Sequence, residues 1–329
     1  MKKLFKIGGI VIAVLFLILV GAYAYVMTSF PKYDPAPELN IEPTPELVAR
    51  GKYLAETSFS CIDCHSTRDA EKFTMPLVPG TEGMGGMDMG EGAGFVPARN
   101  ITPDVETGIG GWTDGEIFRA ITVGVNKDGE PLAPMMPYPL FRETDSTDII
   151  AIIAYLKTLK PIHNKVPEKD LNFPLNIIFR TVQQPTAFIT KPDSSDRLAT
   201  GRYLAMPCIF CHTPSDQGVM FQDSLLAGGV PFMLPGGGHV VTANITPDKE
   251  TGIGQWTKEM FITRFKDATK PEMHTAAPIG SYNTVMPWSF YGQMTDEDLA
   301  AIYDFLMTVK PVKHTVEKYI PPKGPTSSR

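Results

Sequence analysis

Cysteine is scarce in this chain of 329 residues, which has four cysteines, six histidines and three tryptophans. Four cysteines are too few for the dense disulfide framework that stabilises small secreted domains. An excess of positive charge is also missing, because the formal net charge is −6 at pH 7. Proteins that bind nucleic acids depend on a basic surface, so the composition argues against a nucleic-acid partner.

Charge is absent from one long stretch near the N-terminus. Three lysines precede it, and no charged residue occurs from Ile7 to Met27. A helix of that length would cross the hydrocarbon core of a bilayer. The alternative is a cleaved signal peptide, because Ala22-Tyr23-Ala24 resembles a cleavage site. We therefore predict an anchor or signal peptide over residues 1–30. Since the lysines stay in the cytoplasm, the rest of the chain is expected on the periplasmic side of the inner membrane.

Four segments recur in the same order along the chain, which predicts a duplicated domain. They are RGKYLA (50–55) and TGRYLA (200–205), CIDCH (61–65) and CIFCH (208–212), NITPDVETGIGGW (100–112) and NITPDKETGIGQW (244–256), and MPYPLF (136–141) and MPWSFY (286–291). Small insertions between the segments absorb the drift in spacing. The repeated order is therefore that of a domain and not a coincidence of short words.

The repeat and the composition divide the chain into segments. We predict a proline-rich extended tether over residues 31–45 that lifts the soluble part off the membrane, a first domain over 46–161, a linker over 162–196, a second domain over 197–313 and a C-terminal tail over 314–329. Each domain closes in an amphipathic helix that Asp145 or Thr295 caps. Pro161 or Pro311 then stops that helix. No run alternates convincingly enough to predict a sheet.

Each C-x-x-C-H segment holds two cysteines and a histidine within five residues. Outside the cytoplasm this spacing is typical of c-type haem attachment, because the two thiols can each add to one vinyl group of the porphyrin. The histidine that follows is then the proximal ligand of the iron. The predicted attachment residues of two haem c groups are Cys61, Cys64 and His65, and Cys208, Cys211 and His212.

Two other uses of these cysteines are open to the sequence. A disulfide within each pair would suit an oxidising compartment, but a redox motif is expected in a thioredoxin-like strand and helix context, which is absent. A zinc ion could combine two such pairs, but the pairs lie at equivalent positions of separate repeats. Haem attachment accounts for both pairs and leaves no cysteine for disulfides or covalent catalysis.

The sixth iron ligand should lie at equivalent positions of the two domains. Met136 and Met286 fulfil this condition, since each is followed by proline and precedes the closing helix. A thioether there would complete His/Met coordination, which raises the potential of the iron. The alternative is a methionine of the core, and Met135 is the nearest rival in the first domain, although Val285 stands at its counterpart. The other four histidines have no repeat-equivalent histidine, so bis-histidine coordination is not expected.

Supporting residues also recur between the haem attachment segment and the methionine, namely Asn100 with Asn244 and Trp112 with Trp256. We expect them to hold the loop and to hydrogen-bond or shield the haem edge. A turn fixed by Asn, Pro-Asp and Gly is the alternative.

The stretch MGGMDMG at residues 84–90 has no counterpart in the repeat. The thioethers of Met84, Met87 and Met89 could bind Cu(I). A flexible, glycine-rich surface loop is the interpretation that we favour, because no cysteine or histidine assists.

With these motifs the sequence resembles membrane-associated class I c-type cytochromes with tandem domains. The NITPD turns and the Met-Pro step are similar to those of the multihaem cytochrome subunits of bacterial membrane-bound alcohol, gluconate and aldehyde dehydrogenases. The resemblance covers roughly residues 46–312. It implies an all-α fold of two cytochrome c domains with long loops, in which the first and last helices cross over the haem edge. Tyr53 with Tyr155, and Tyr203 with Phe305, would lie at those crossings. Many such subunits carry three haem domains and this chain has two, which leaves the particular dehydrogenase open.

The function that follows is electron transfer without substrate chemistry. The expected donor is a membrane-bound or periplasmic dehydrogenase, and the expected acceptor in the respiratory chain is quinone or a terminal oxidase. One alternative is a dihaem subunit or donor of a terminal oxidase. Another is a dihaem enzyme such as a peroxidase or a thiosulfate-oxidising cytochrome, which would need one haem with a labile or unusual ligand.

Overall fold

The N-terminus of the chain is a long, exposed helix, α1 (Lys2–Ser29). The structure is a computed structural model, and it describes residues 2–90, 92–183, 185–216 and 219–322. Within those residues, α1 is the one helix long and apolar enough to cross a membrane. None of its side chains is buried by the rest of the protein. An apolar surface of this size in water is unfavourable, so the helix has the properties that a membrane span requires.

The remaining regular structure is mainly helical. In the described part of the chain, eleven further α-helices follow α1, namely α2 (Pro45–Glu56), α3 (Cys61–Cys64), α4 (Asp114–Val123), α5 (Tyr138–Phe141), α6 (Ser146–Leu156), α7 (Leu175–Ile178), α8 (Arg197–Leu204), α9 (Met206–His212), α10 (Lys258–Asp267), α11 (Trp288–Tyr291) and α12 (Asp296–Leu306). Two short 3₁₀ helices lie at Gln222–Ser224 and Pro271–Met273. Below, residues 46–161 are called the first half and residues 197–313 the second half.

The sheets are small and antiparallel. The strands are β1 (Gly94–Phe95), β2 (Asp170–Leu171), β3 (Ser215–Asp216), β4 (Val219–Met220), β5 (Pro231–Met233), β6 (His239–Val241) and β7 (Tyr319–Ile320). Strand β1 pairs with β2, β3 with β4, and β6 lies between β5 and β7. Gly94 is opposite Leu171, and His239 is opposite Ile320. Strand β2 follows the closing helix of the first half and pairs with a loop strand of that half, β1. Strand β7 likewise follows the closing helix of the second half and pairs with β6.

Each half is built on a crossing of its first and last helices. Helix α2 crosses α6, and α8 crosses α12. A Cβ at Gly51 would overlap the carbonyl of Ala151, and a Cβ at Gly201 would overlap that of Ala301. The two backbones can approach this closely only because glycine has no side chain. The glycine of each RGKYLA-like segment is therefore a packing residue.

The closing helices, α6 and α12, begin at the predicted N-cap residues, Asp145 and Thr295. The Asp145 side chain accepts a hydrogen bond from the amide of Thr147, and that of Thr295 accepts one from the amide of Asp298. The inner faces of both helices are buried in the apolar core. The helices end at Leu156 and Leu306 and are capped by Lys157 and Met307, so a turn separates each helix from the proline predicted to stop it.

Two ten-residue helices, α4 and α10, follow the asparagine turns and were not predicted from the sequence. Thr113 and Thr257 are their N-caps, and Thr113 forms a reciprocal capping box with Glu116. The pattern T-x-x-E before an apolar run was the available signal for α4. In α10, Met260 stands where Glu116 stands in α4, so only the threonine marks the start.

The proline-rich segment before α2 is extended, as predicted, but it lies on the first half. The amide of Ile41, which is 6% exposed, donates to the Asp114 carboxylate at 2.6 Å. Lys157 reaches the same carboxylate at 2.8 Å. A Cβ at Gly115 would overlap the carbonyl of Pro37. These contacts show that the segment packs on the first half. Its role as a tether that lifts the soluble part off the membrane stays a prediction.

The linker (162–196) also packs against the first half. The ring of Phe188 packs against that of Phe118 with centroids 5.5 Å apart, and the amide of Lys191 donates to the Asp145 carboxylate at 2.7 Å. The Arg180 guanidinium donates to the carbonyl of Phe30, immediately after α1, at 3.0 Å. The linker therefore holds the end of α1 beside the first half.

Candidate functional site

The two C-x-x-C-H segments lie on short helices that face different surroundings. In the first, α3 carries both cysteines, and Ile62 and Asp63 between them are buried. In the second, α9 extends to His212, and Phe210 between the cysteines is 37% exposed. The residues between the cysteines are therefore covered by protein in the first segment, whereas the second segment has an apolar side chain at the surface.

The two histidines are oriented by equivalent hydrogen bonds. Nδ1 of His65 lies 2.6 Å from the carbonyl oxygen of Arg99, and Nδ1 of His212 lies 2.7 Å from that of Ala243. A carbonyl can only accept, so we assign the proton to Nδ1 and the lone pair to Nε2. Burial lowers the pKa of both histidines, which favours the neutral ring. This is the tautomer and charge state of a metal-ligating imidazole whose other nitrogen is fixed by an outer partner.

A glycine in each half packs against the backbone of the residue whose carbonyl contacts the histidine ring. These glycines were not predicted from the sequence. The amide of Gly85 donates to the carbonyl of His65 at 2.8 Å, and that of Gly228 donates to the carbonyl of His212 at 2.7 Å. Gly85 has φ 74° and Gly228 has φ 71°, in the left-handed region. A Cβ at Gly85 would collide with the backbone of Arg99. The signal was a Gly-Gly pair after each C-x-x-C-H segment.

The MGGMDMG stretch therefore does have a counterpart, contrary to the sequence interpretation. Met84 corresponds to Ala227, because its carbonyl accepts from Asn164 Nδ2 at 2.8 Å just as the Ala227 carbonyl lies 2.9 Å from Nδ1 of His314. The amide of Met89 donates to the carbonyl of Val96 at 2.9 Å. The stretch is a hydrogen-bonded loop, and its glycines are the shared part. The Cu(I) alternative stays a sequence hypothesis.

Asn100 and Asn244 hold their loops to the segments after the closing helices. Asn100 Nδ2 donates to the carbonyl of Ile162 at 2.8 Å, and Asn244 Nδ2 donates to that of Val312 at 2.7 Å. Each Oδ1 accepts from the threonine two residues later. Both asparagines are at most 4% exposed. Their side chains therefore fix the turn, and Trp112 and Trp256 pack, half-buried, against the core.

The cysteines are not arranged as a redox dithiol. All four lie in the described residues and are thiols rather than disulfides. Burial raises the pKa of Cys61 and that of Cys208 to about 12. Reactive thiols of redox motifs have lowered pKa values, so the environment is the opposite of the one that activates a thiolate. This observation disfavours the redox alternative.

The two segments approach each other across the boundary between the halves. Burial is the main cause that raises the pKa of Cys64, and both Cys61 and Cys211 add to it electrostatically. Tyr291 of the second half hydrogen-bonds the side chain of Ser60, the residue before Cys61. Groups held at the two segments would consequently be neighbours.

Met136 and Met286 occupy matching local structures. Each is half-buried against the core and precedes a short helix, α5 or α11. The carbonyl of Met136 accepts from the amide of Tyr138 at 2.7 Å, and that of Met286 accepts from Trp288 at 2.7 Å. Their assignment as iron ligands stays a prediction.

The other histidines are engaged elsewhere. His274 Nε2 lies 3.2 Å from the carbonyl of Ala268, and His163 Nδ1 lies 3.7 Å from the Asp104 carboxylate. Among the described residues, no three or more of His, Cys, Asp and Glu converge on a common metal position. The zinc alternative therefore finds no support in the structure.

Reciprocal tyrosine contacts join the two halves. The Tyr53 hydroxyl donates to the carboxylate of Asp298 and accepts from the amide of the residue that caps α12. The Tyr203 hydroxyl donates to the carboxylate of Asp148 at 2.8 Å and accepts from the amide of the cap of α6 at 3.3 Å. Each half thus contacts the start of the other half's closing helix.

The hydroxyls of Tyr53 and Tyr203 reach into the opposite half. The position at the helix crossings that the resemblance implied for these residues stays a prediction. The Tyr155 hydroxyl donates to Glu56 of α2. Gly51 and Gly201 occupy the points of closest approach.

The amino-acid sequence of the chain is similar to those of several cytochromes. No protein-family model matches the chain. It is 30% identical over 288 residues to "Alcohol dehydrogenase (quinone), cytochrome c subunit" of Gluconacetobacter polyoxogenes, which covers 83% of this chain and 58% of that protein. It is 30% identical over 279 residues to "Gluconate 2-dehydrogenase cytochrome c subunit" of Pantoea cypripedii, covering 80% and 59%. It is 28% identical over 262 residues to "Diheme cytochrome c-type" of Cereibacter sphaeroides, covering 77% and 83%.

The chain is a homologue of these cytochrome c proteins. The resemblance indicated by the repeated motifs is therefore confirmed. The chain spans a little over half the length of the two dehydrogenase subunits and most of the length of the diheme cytochrome.

Proposed function

We propose that this chain is a dihaem c-type cytochrome that relays electrons between a membrane-associated dehydrogenase and the respiratory chain. Its two halves would be tandem all-α cytochrome c domains behind an N-terminal membrane anchor, on the periplasmic side of the inner membrane. The observation that carries the proposal is the repeated histidine geometry. In both halves the residue after a C-x-x-C pair has Nδ1 fixed by a backbone carbonyl, which leaves Nε2 for iron.

The residues fit haem c at both segments. Cys61 and Cys64 would tether one haem above His65, and the second segment would tether the other in the same way. When bound, each haem supplies reversible one-electron exchange at its iron. Met136 and Met286 would complete the coordination, and an iron with both axial positions filled leaves no site for a substrate. This is why electron transfer is favoured over peroxidase-type chemistry.

The relatives' names support the choice of donor. Two of them are named as cytochrome c subunits of an alcohol dehydrogenase (quinone) and of a gluconate 2-dehydrogenase. A dehydrogenase subunit is accordingly the proposed donor, and quinone or a terminal oxidase the proposed acceptor. Helix α1 would keep the carrier at the membrane where these partners lie.

The partner is tested by purifying the full chain from native membranes in mild detergent and identifying the co-purifying proteins by mass spectrometry. A flavin-, quinone- or molybdenum-cofactor dehydrogenase is the expected result. Haem-copper oxidase subunits in its place would contradict the dehydrogenase assignment and move the carrier to the oxygen end of the chain. The matched control is the Met286→His chain, which should recover the same proteins, because ligand exchange leaves the docking surface in place.

A further inference from the structure

Arg68 is a buried arginine at the boundary between the halves. Its side chain is 7% exposed, and its ion-pair partner Asp63, inside the first C-x-x-C-H segment, is 4% exposed. Nε lies 3.3 Å from one carboxylate oxygen, and Nη1 lies 3.4 Å from the other. A buried charge needs an opposite charge nearby. Here one carboxylate oxygen accepts the Nη1 hydrogen bond, and among the described residues the other has only the charge of the guanidinium beside it.

The shorter hydrogen bonds of the guanidinium go to three backbone carbonyls, and Nε donates to one of these rather than to Asp63. Two belong to the first half, Met75 at 2.9 Å and Thr74 at 3.0 Å. The third is Val285 of the second half, which accepts from Nη1 at 3.1 Å. Val285 directly precedes Met286. One side chain thereby connects the first haem-attachment segment with the loop of the second methionine.

Neighbouring contacts dock the same two stretches of chain. The amide of Thr74 donates to Oδ1 of Asn283 at 3.0 Å. The amide of Phe73 donates to the carbonyl of Thr275 at 2.8 Å. The Arg68 contact is therefore part of a continuous junction of residues 71–75 with residues 275–285.

The second half has no equivalent arginine. Phe210 stands in place of Asp63, and Ser215 is the third residue after the second C-x-x-C-H segment, where Arg68 follows the first. The amide of Met136 donates to the carbonyl of Ala133, within its own half. Helix α5, which follows Met136, also contacts α9 of the second half. The asymmetry lies in the guanidinium contact: among the described residues, the buried arginine that reaches a methionine loop of the other half reaches the second one.

We infer that Arg68 is a positioning residue that acts across the boundary and sets the ligand loop of the second haem from the first half. The inference rests on the proposed function, because the position of this loop matters to the second haem only if Met286 is its ligand. Arginine suits this role because its planar fork can bind a carboxylate and several carbonyls at once, which a lysine ammonium cannot do. Removing the fork should loosen the Met286 loop and leave the Met136 loop in place.

The test substitutes Arg68→Lys in the full-length holoprotein, in two backgrounds. In a Met136→His chain the remaining methionine-to-iron charge-transfer band belongs to the second haem, and in a Met286→His chain it belongs to the first. We expect Arg68→Lys to weaken that band and lower the midpoint potential in the first background, because loss of thioether ligation lowers the potential. In the second background both should stay unchanged.

A matched control is Arg119→Lys. Arg119 is also buried in the first half, but its guanidinium donates to the carbonyls of Asn126 and Lys127 in the same half, at 2.6 and 3.4 Å. The Arg119→Lys substitution should leave the charge-transfer band and the midpoint potential of the second haem unchanged. If Arg68→Lys fails to fold, the double variant Asp63→Leu with Arg68→Met replaces the buried ion pair by apolar side chains and removes the same carbonyl contact.

The outcomes separate the inference from the function on which it rests. An unchanged second-haem band and potential in the folded Arg68 variants, or an equal loss in both backgrounds, overturns the cross-boundary role. If Met286→His alone leaves the spectrum and potentials of the parent chain unchanged, Met286 is not a ligand, and both the ligand assignment and the inference are wrong.

Discussion

The two halves of the molecule share the hydrogen bonds around their histidines and differ in what covers their cysteines. His65 and His212 bind equivalent carbonyls, and Asn100 and Asn244 hold equivalent loops. Around this shared frame, Asp63 is buried in an ion pair whereas its counterpart Phe210 is exposed. The comparison indicates that the hydrogen bonds around the histidines are kept while the outer side chains set the environment of each site.

Replacing the crossing glycines should produce the largest effect, and the same one in both halves. In Gly51→Ala or Gly201→Ala the new methyl group would overlap a carbonyl of the closing helix, so the helices must separate. We expect each substitution to lower the free energy of unfolding by about 3 kcal/mol, as for severe overpacking. Denaturant titration of the holoprotein measures this. A substitution tolerated in one half alone would break the equivalence of the crossings.

Changing the predicted second axial ligand should separate the halves. Met286→His should lower the potential of the second haem by on the order of 0.1 V, within the ~0.8 V range that axial ligands span, while both haems remain attached. A spectroelectrochemical titration measures both potentials. Met136→His is the matched variant and should shift the other potential. An unchanged pair of potentials in either variant would contradict that ligand assignment.

Removing the reciprocal hydroxyls should loosen the boundary between the halves. Tyr203→Phe and Tyr53→Phe each delete a hydrogen bond to a carboxylate, which costs roughly 1.5–3 kcal/mol when buried. The larger loss is expected for Tyr203, which is 5% exposed, because the half-buried Asp298 that partners Tyr53 can be rehydrated. Unfolding midpoints of the two single variants and of the double variant measure the difference. A larger loss in Tyr53→Phe would contradict it.

The smallest expected effect concerns the caps of the closing helices. Burial alone would raise the pKa of Asp145, but hydrogen bonds from Lys191 and Thr147 outweigh it and keep that pKa below its usual value. A depressed pKa stabilises the fold above the unfolded pKa of about 3.9 and loses this contribution as the pH falls through the folded pKa. Thr295 cannot titrate in this range.

Below about pH 4, α6 should therefore lose protection before α12 does. The effect should remain under about 1 kcal/mol, because a partly solvated carboxylate is screened. Hydrogen exchange of the two helices at acidic and neutral pH, with Asp145→Thr as the control, measures it. Equal loss in both helices of the parent chain would show that the cap is not responsible.

The features predicted best from the sequence depend on short spacings. Three features are encoded by neighbouring residues: the C-x-x-C-H segments, the N-caps with partners two or three residues later, and the repeated asparagine turns. Asn100 and Asn244 hold their loops, as expected, and also fix the turn that was the alternative interpretation. Their expected contact with a haem edge stays a prediction. Local encoding also explains why the closing helices could be predicted.

Apart from α4, α10 and the paired glycines, the features that were missed depend on residues far apart in sequence. Nothing near Tyr53 indicates that its hydroxyl meets Asp298 in the opposite half. The packing of Ile41 on Asp114 likewise joins a tether and a helix whose contact no periodicity encodes. The Arg68 contact with Val285 belongs to the same class, because it arises only once both halves are docked.

The measurement that tests the account most directly is the intact mass of the full-length chain purified from its native membranes under denaturing conditions. The account predicts the mass of the polypeptide plus two covalently bound haems. A Cys208→Ala/Cys211→Ala variant should retain one haem, and so should Cys61→Ala/Cys64→Ala. A parent chain without covalent haem, or a variant that keeps two, would contradict the central claim.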